Sequence, residues 1–429
     1  MSTLLWNKAG VHTDTTIMKY LAGEDIVLDR QLFVYDIRAT IAHTRGLGLR
    51  DLISKEDASQ IISSLNDLDA LWAKGQFVLD ERYEDGHSAI EAFLTEQLGE
   101  LGGRVHLGRS RNDQVLVATR LYMIDVLETL KNKLIGCAKA ALNRAREHET
   151  DPMPGYTHLQ RAVPSSIGLW MGSFAESFVD SAEMVGMTRN WIDACPLGTA
   201  AGYGVNLPLP REEVAKELGF TRLLMNPMAA QASRGKHEHQ VVSVMWQGMQ
   251  DARRLAWDLS LFSTAEFNFV QMPRETTTGS SIMPNKRNPD LIEFIRASCA
   301  AVGACITELQ QLQSLPSGYH RDLQLTKPVL LRATRITLDT ISLIPRLIEC
   351  TQFNTVAMRK AIDPSMMATD MAIDLAASGA SFREAYRSVG ESLDQFERAD
   401  PSASISARVS PGGCGNLQLD QIQHRINAV

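Results

Sequence analysis

The feature that most constrains the fold is a long, uninterrupted helical pattern from Asp113 to His148. This stretch contains no proline, and its apolar residues recur at spacings of three and four, the period of one helix face. At ~1.5 Å per residue such a helix is about 50 Å long, well above the usual globular length of about 11–12 residues. Because an isolated helix cannot bury its own apolar stripe, the pattern predicts packing against other long helices.

Further segments repeat this pattern and together predict an all-α fold. They are Ser165–Trp191, Gln240–Phe267, Asp290–Leu312 and Val329–Gln352, the last with an expected kink at Pro345. No sustained alternation of period two is present, so the residues do not favour a sheet-based core. Apolar positions on more than one helix face also favour association with further copies of the chain.

The pattern divides the chain into three predicted domains. We expect an N-terminal helical domain at 1–106, a central long-helix bundle at 107–354 and a C-terminal helical domain at 355–429. The boundaries follow from shifts in composition and from the shorter helical patterns on either side of the central region.

Composition and charge favour a cytoplasmic protein that acts on a small molecule. The formal net charge of −7 argues against a nucleic-acid or membrane partner. The six cysteines form no C-x-x-C pair, which is typical of a reduced compartment. The first residues lack the apolar core of a signal peptide, and no apolar run is long enough to span a bilayer.

The first of three polar interruptions is "HLGRSRNDQ" (His106–Gln114), which ends where the longest helix begins. The simpler interpretation is that Asn112 or Asp113 caps that helix. The functional alternative is that Arg111 and Asn112, beside the positive end of the helix, bind a carboxylate. This segment by itself favours the cap.

The second interruption is "MPGYTHLQRAVPSS" (Met153–Ser166). His158 lies in a polar setting here, and histidine is the side chain best suited to move protons near neutral pH. Thr157 and Gln160 are candidates for orienting a substrate group. A lone histidine is more often structural than catalytic, so the segment alone does not establish a site.

The third interruption is "TGSSIMPNKRNPD" (Thr278–Asp290), which we call the signature loop. Ser280 or Ser281 is a candidate nucleophile or, if ionised, a base. Since a free serine hydroxyl is a very weak acid, its alkoxide needs stabilisation, and Lys286, Arg287 and successive backbone N–H groups are suitable donors. The absence of G-x-S-x-G argues against an acyl-transfer serine.

Taken together, the three segments resemble the signature regions of the aspartase/fumarase superfamily in content, order and spacing. Arg111 and Tyr156 make the chain most similar to the argininosuccinate lyase family within it. The segments "YEDGHSAIEAFLTEQLG" (Tyr83–Gly99) and "SGYHRDLQLTK" (Ser317–Lys327) are also similar to that family. The resemblance covers roughly residues 15 to 345.

The resemblance implies a cofactor-free β-elimination that splits argininosuccinate into arginine and fumarate, the last step of arginine biosynthesis. It implies Ser280 as the base, His158 as the general acid or part of its relay, and Lys286 as a group that holds the substrate carboxylate. It implies no metal. The substrate-binding residues that it implies are Ser110, Arg111, Asn112, Thr157, Gln160, His87, Ser281, Met283, Asn288, Tyr319, Gln324 and Lys327. It also implies a homotetramer with a twenty-helix core, whose active sites each draw on three subunits.

The chain departs from the family pattern in several places, among them Asp25 and the segment Ser233–Gln240. Asp25 stands where the family usually has a substrate-binding serine, and we expect it to meet a cationic part of the substrate. The segment "SRGKHEHQ" (Ser233–Gln240) replaces the family's acidic pattern. Its His237 and His239 hint at metal binding, but an exposed helix start is the favoured interpretation.

Two other hypotheses remain open. One is a lyase acting on another N-substituted aspartate such as adenylosuccinate, although the phosphate-binding cluster that a nucleotide requires is not found. The other is a catalytically silent, crystallin-like scaffold. Ser280, Lys286, Asn288 and His158 are all intact, which speaks against a silent scaffold.

Overall fold

The structure is a computed structural model that describes residues 14–393 and 400–429. Within these ranges the chain is predominantly helical, and its few strands form small two-stranded sheets. The prediction of an all-α fold is therefore confirmed.

The helices vary from a single turn to the full length of a bundle. In chain order they are α1 (Thr15–Ala22), α2 (Asp25–Asp29), α3 (Phe33–Leu49), α4 (Lys55–Ala73), α5 (Gly86–Leu98), α6 (Glu100–Gly103), α7 (Arg111–Glu147), α8 (Ile167–Ile192), α9 (Arg211–Glu217), α10 (Pro227–Ala232), α11 (Lys236–Phe262), α12 (Asp290–Gln311), α13 (Thr326–Cys350), α14 (Thr355–Lys360), α15 (Ala368–Ala377), α16 (Phe382–Glu391), α17 (Pro401–Ala407) and α18 (Leu419–Ala428). Short 3₁₀ turns lie at Arg104–His106, Arg274–Thr276, Arg321–Leu325 and Pro364–Met367.

The strands pair in three antiparallel sets. They are β1 (Pro152–Thr157) with β2 (Gln160–Ser166), β3 (Val270–Gln271) with β6 (Gln352–Phe353), and β4 (Thr278–Gly279) with β5 (Arg287–Asn288). Each is too small to form a core, so they serve to shape the segments between the long helices.

The five long helical patterns correspond to α7, α8, α11, α12 and α13. The largest difference concerns α11, which ends at Phe262 rather than Phe267. The hydroxyl of Thr264 donates to the carbonyl of Leu261, and the N–H of Phe269 donates to the carbonyl of Phe262, which closes the helix. The aromatic residues beyond that point pack back on Phe262, which explains their helix-like apolar spacing. Pro345 lies inside α13, and the kink there stays a prediction.

The contacts group into two compact units, each built from three chain segments. The first unit comprises Met1–Glu128, Met187–Ser243 and Ala304–Thr334, and the second comprises Thr129–Gly186, Val244–Gly303 and Arg335–Val429. The three-domain division at 1–106, 107–354 and 355–429 stays a prediction.

Helix α4 shows how the first unit builds its core. Its N-terminus is capped by Ser54, whose side chain accepts from the N–H of Asp57 at 3.0 Å. Ile61, Leu65 and Leu68 then recur on one face and are each 0% exposed. They pack with residues of α3 and α5 in a single apolar cluster, so the amphipathic period of the sequence directly specifies this contact.

The described ranges contain no helix that is both long and apolar enough to cross a membrane.

The neighbouring residues Ile61 and Ile62 provide a matched test of the core. Ile61 is fully buried, whereas Ile62 is half-buried on the flank of the same helix. We expect Ile61→Ala to lower the free energy of unfolding by about 2–5 kcal/mol, because it removes buried methyl groups and leaves a cavity. Ile62→Ala should cost clearly less. Unfolding midpoints from calorimetry check this, and equal losses in the two variants would contradict the assignment of the core.

Candidate active site

A charged cavity of about 230 Å³ in the first unit brings together many of the predicted substrate-binding residues. We expected Asp25, Arg111, Asn112, Tyr319, Gln324 and Lys327 to bind substrate, and all of them line this cavity. Its other lining residues are Glu84, Asp85, Val115, Arg234 and Arg321. Segments that are far apart in the sequence therefore form one polar site.

The first polar interruption is held by a reciprocal cap at the start of α7. The N–H of Asn112 donates to Ser110 Oγ at 3.3 Å, and the N–H of Ser110 donates to Asp113 Oδ1 at 2.9 Å. The residue at the N-cap position is thus Ser110 rather than Asn112 or Asp113, and Asp113 takes part in the cap through its side chain. The reason is that α7 begins at Arg111, which places Asp113 in the first turn.

Asp113 also joins the start of α7 to a distant loop. Its Oδ2 accepts the N–H groups of Gly198 and Ala200 at 3.0 and 2.8 Å. Burial raises the pKa of Asp113, although these backbone hydrogen bonds favour the ionised form. Arg111 and Asn112 are consequently fixed at the wall of the charged cavity.

Two of the cations that line the charged cavity, Arg111 and Lys327, are paired with carboxylates of the chain. Arg111 Nη1 lies 3.0 Å from Glu84 Oε2 and 3.2 Å from Asp85 Oδ2. Burial opposes the charge on Arg111, but Asp85 and Glu84 outweigh it and raise its pKa. Asp85 also caps α5 by accepting from the N–H of Ser88 at 2.8 Å. The Arg111 guanidinium is therefore already paired with carboxylates of the chain.

Lys327 is buried between two carboxylates. Its Nζ lies 2.6 Å from Asp29 Oδ1 and 3.0 Å from Asp25 Oδ1, and Gln324 Nε2 donates to the other oxygen of Asp25. Burial opposes the ammonium charge, but Asp29 and Asp25 raise the pKa of Lys327. Burial likewise raises the pKa of Asp25. The cation that Asp25 meets in this structure is thus Lys327.

His87 is buried and does not line the charged cavity. Its Nδ1 lies 2.5 Å from Asp36 Oδ2, and the adjacent N–H of Gly86 donates to Asp29 Oδ2 at 2.8 Å. Burial opposes protonation of His87, but Asp36 and then Asp85 raise its pKa. The structure therefore places this predicted substrate-binding residue in a buried ion pair.

The second polar interruption forms the β1–β2 hairpin in the second unit. No strand was expected here, because prolines and a glycine obscure the alternation of period two. Thr157 pairs with Gln160, so His158 and Leu159 form a two-residue turn, with φ of 54° and 58°. Non-glycine residues seldom adopt positive φ, and such strain clusters at functional sites. The fold thus presents His158 at an exposed tip, flanked by Thr157 and Gln160.

The signature loop lies between β4 and β5 of the second unit, where Thr278 pairs with Asn288. Ser280 Oγ accepts the N–H groups of Ile282 and Met283 at 3.3 and 3.1 Å. The side chains of Ser281, Met283 and Lys286 are exposed, and that of Asn288 is partly buried. The loop therefore directs two backbone donors at a single serine oxygen.

The segment Ser233–Gln240 differs from its sequence-based interpretation. His237 is buried rather than at an exposed helix start, with its ring centroid 4.6 Å from that of Trp191. Burial and the nearby cation Arg120 lower the pKa of His237 to about 2. Glu238 is also buried and accepts the N–H of Gly235 at 2.8 Å. The charged residues of this segment gave no indication that the start of α11 is buried.

Glu84, Asp85, Arg234 and Arg321 are cavity residues that were not singled out from the sequence. Three of them lie in segments already recognised by resemblance, "YEDGH" and "YHRDLQ". Arg234 lies in the segment that departs from the family pattern. Only the folded structure shows that Arg234 is buried and lines the charged cavity.

Comparison with known proteins identifies the class to which this fold and site belong. A family model described as "Lyase" matches residues 10–303. An argininosuccinate lyase of Sorangium cellulosum (strain So ce56) is 50% identical, covering 100% of this chain and 99% of the relative. An argininosuccinate lyase of Xanthomonas axonopodis pv. citri (strain 306) is 49% identical, covering 100% of both chains. The chain belongs to the lyase family, and both of these full-length relatives are argininosuccinate lyases.

Solved structures support the fold independently. An EDDS lyase in complex with formate superposes with a TM-score of 0.79 at 22% identity, covering 97% of this chain and 91% of that one. A class II fumarase from Schistosoma mansoni superposes with a TM-score of 0.71 at 18% identity, covering 90% and 94%. At this level of identity the likeness concerns the fold alone.

The ion pair of His87 predicts a pH dependence of folding stability. Because the folded pKa of His87 is raised above its unfolded value of ~6.5, its contribution is complete below that pH and is lost as the pH rises through the folded pKa. We expect the stability advantage of the wild type over His87→Gln to shrink as the pH is raised from about 6 into the alkaline range. Denaturant midpoints measured across this range provide the test. A constant or growing advantage would rule out the charged pair.

Proposed function

We propose that this chain is an argininosuccinate lyase, which splits argininosuccinate into arginine and fumarate by β-elimination. The observation that carries the proposal is the environment of Ser280, whose oxygen accepts two backbone N–H groups within the signature loop. The full-length similarity to argininosuccinate lyases supports the choice of substrate. Arginine biosynthesis is the corresponding metabolic role.

Ser280 acts as the base in this mechanism. It removes a proton from the succinate carbon next to a carboxylate, and the electron pair of that C–H bond forms the C=C bond of fumarate. An alkoxide at Ser280 Oγ is stabilised by the N–H groups of Ile282 and Met283, because fixed dipoles need no reorganisation when charge develops. Lys286 and Asn288 hold the carboxylate that takes up charge in the carbanion.

His158 supplies the proton for the departing nitrogen. As the C–N bond breaks, the guanidino nitrogen of arginine accepts this proton, either directly from the imidazolium or through a relay. The exposed tip of the β1–β2 hairpin leaves His158 accessible to substrate. The substrate is oriented around these groups by Thr157, Gln160, Ser110, Ser281 and Met283.

We further propose that the working enzyme is a homotetramer in which three subunits contribute to each active site. Support comes from apolar side chains that a single chain leaves in solvent, including Ile282 at 82%, Phe294 at 75%, Leu159 at 69% and Met187 at 67% exposure. Two of these lie in the signature loop and at the hairpin tip, beside the proposed catalytic groups. Light scattering of the purified protein tests the assembly.

A cytoplasmic location completes the proposal. The six cysteines all lie in the described part of the chain and form no disulfide with one another, and most of them are buried, as expected for a protein that works in a reducing compartment. The proposed partners are small molecules rather than nucleic acid or membrane. No cofactor enters the proposed reaction.

Fumarate absorbance provides the test of the reaction and of its base. We expect the wild type to release fumarate from argininosuccinate, but not from adenylosuccinate or aspartate. Ser280→Ala should reduce turnover by ~10²–10⁴-fold, the usual effect of losing a general base, and Ser281→Ala should have a smaller effect. Fumarate from adenylosuccinate alone would identify a different substrate. Equal losses in the two serine variants would argue against Ser280 as the base.

A further inference from the structure

Arg234 differs from the other cations that line the charged cavity. Arg111 is paired with Glu84 and Asp85, and Lys327 is paired with Asp25 and Asp29, as described above. Arg321 is exposed and donates to Gln324 Oε1 at 3.1 Å and to the carbonyl of Leu21 at 3.3 Å. Arg234 is only 7% exposed, and no carboxylate or hydrogen-bond acceptor of the described residues pairs with it.

The backbone around Arg234 holds its side chain in place. Arg234 lies in the short turn between α10 and α11, and the next residue, Gly235, has φ of 83°. The N–H of Gly235 donates to Glu238 Oε2 at 2.8 Å, and the preceding Ser233 Oγ accepts from Arg120 Nη2 at 3.3 Å. A Cβ at position 235 would also approach the side chain of Gln313 to 3.2 Å. The turn is therefore fixed on both sides of Arg234.

The aromatic ring of Tyr319 supports the Arg234 guanidinium. The guanidinium carbon lies 5.6 Å from the ring centroid, within the range of a cation–π contact. Such a contact uses the face of the guanidinium and leaves its N–H donors available. A planar fork of donors matches the two oxygens of a carboxylate.

Arg234 is largely buried, and no carboxylate among the described residues neutralises its charge. A buried charge is normally paired, and an unpaired one is destabilising. Within a cavity, a ligand carboxylate is the natural partner. Lys327 is less suited to bind a ligand carboxylate, because its ammonium group is already paired with the Asp25 carboxylate. The same carboxylate also accepts a hydrogen bond from the side-chain amide of Gln324.

We propose that Arg234 binds a carboxylate of the substrate, and that Asp25 prevents Lys327 from doing so. The inference rests on the proposed function, since it takes argininosuccinate as the ligand of the cavity. A carboxylate from either the arginine end or the succinate end has the required chemistry. The presence of Asp25 at a position where the family usually has serine thus moves the anion-binding role from Lys327 to Arg234.

The first test compares Arg234→Gln and Arg234→Lys with a matched control. Arg82 also stacks on a tyrosine, 5.5 Å from the Tyr83 ring centroid, but its side chain is 66% exposed and pairs with Asp80 outside the cavity. We expect Arg234→Gln to raise KM by about 10- to 100-fold, the range for loss of a charge-assisted hydrogen bond. Arg234→Lys should have an intermediate effect, and Arg82→Gln should match the wild type.

Calorimetric binding of each product identifies the carboxylate involved. Weaker binding of arginine to Arg234→Gln places the contact at the arginine end, and weaker binding of fumarate places it at the succinate end. This measurement requires no turnover, so a wild type that binds product but makes no fumarate would refute the proposed function and not the binding role of Arg234. Unchanged binding of both products to a folded Arg234→Gln, or no binding of either to the wild type, would overturn the inference.

The role of Asp25 is tested in the Arg234→Gln background. Adding Asp25→Ser removes one of the carboxylates on Lys327, so we expect the double variant to recover part of the lost product affinity. A further Lys327→Met substitution should abolish that recovery. If Asp25→Ser restores nothing, and Lys327→Met alone weakens binding as much as Arg234→Gln does, Lys327 is the anion-binding residue and the inference is wrong.

Discussion

Neutralisation of buried charge is the constraint on which the first unit depends. Lys327 forms ion pairs with Asp25 and Asp29 of α2. Arg111, at the start of α7, forms ion pairs with Glu84 and Asp85 beside the start of α5. Each pair joins segments that are distant in sequence, and losing one member would leave its partner charged and at least partly buried. The walls of the charged cavity are therefore held in place by the same side chains that give the cavity its charge.

The backbone contributes as much to the site as the side chains do. Ser280 accepts two N–H groups of its own loop, Asp113 accepts the N–H groups of a distant loop, and His158 occupies a turn with positive φ. Fixed backbone donors are well suited to an elimination, because negative charge develops at a defined place and must be stabilised without rearrangement. Loops between long helices supply such donors, whereas helix interiors use theirs internally.

The sequence predicts the long helices well, because a helix with one buried face must repeat its apolar residues at the helical period. Prediction from the sequence fails where tertiary contacts determine the local structure. The strand pairing of the hairpin is hidden by Pro154, Gly155 and Pro164, and α11 ends early because Phe267 packs back on Phe262 instead of continuing the helix.

The candidate site shows the same division. Resemblance identifies Asp25, Arg111 and Lys327 as cavity residues, and the structure brings them together. The resemblance cannot show that Asp25 and Lys327 neutralise each other, nor that Arg234 is buried with no carboxylate partner among the described residues. Both facts depend on distances between segments in the folded protein, which the amino-acid sequence alone does not provide.

The structure of the Ser280→Ala variant with argininosuccinate bound tests the central claim most directly. The account predicts intact substrate in the charged cavity, with one carboxylate on the Arg234 guanidinium and a succinate C–H bond directed at position 280 of a signature loop. Substrate bound elsewhere, or with no signature loop near its succinate carbons, would contradict both the proposed reaction and the assignment of its base.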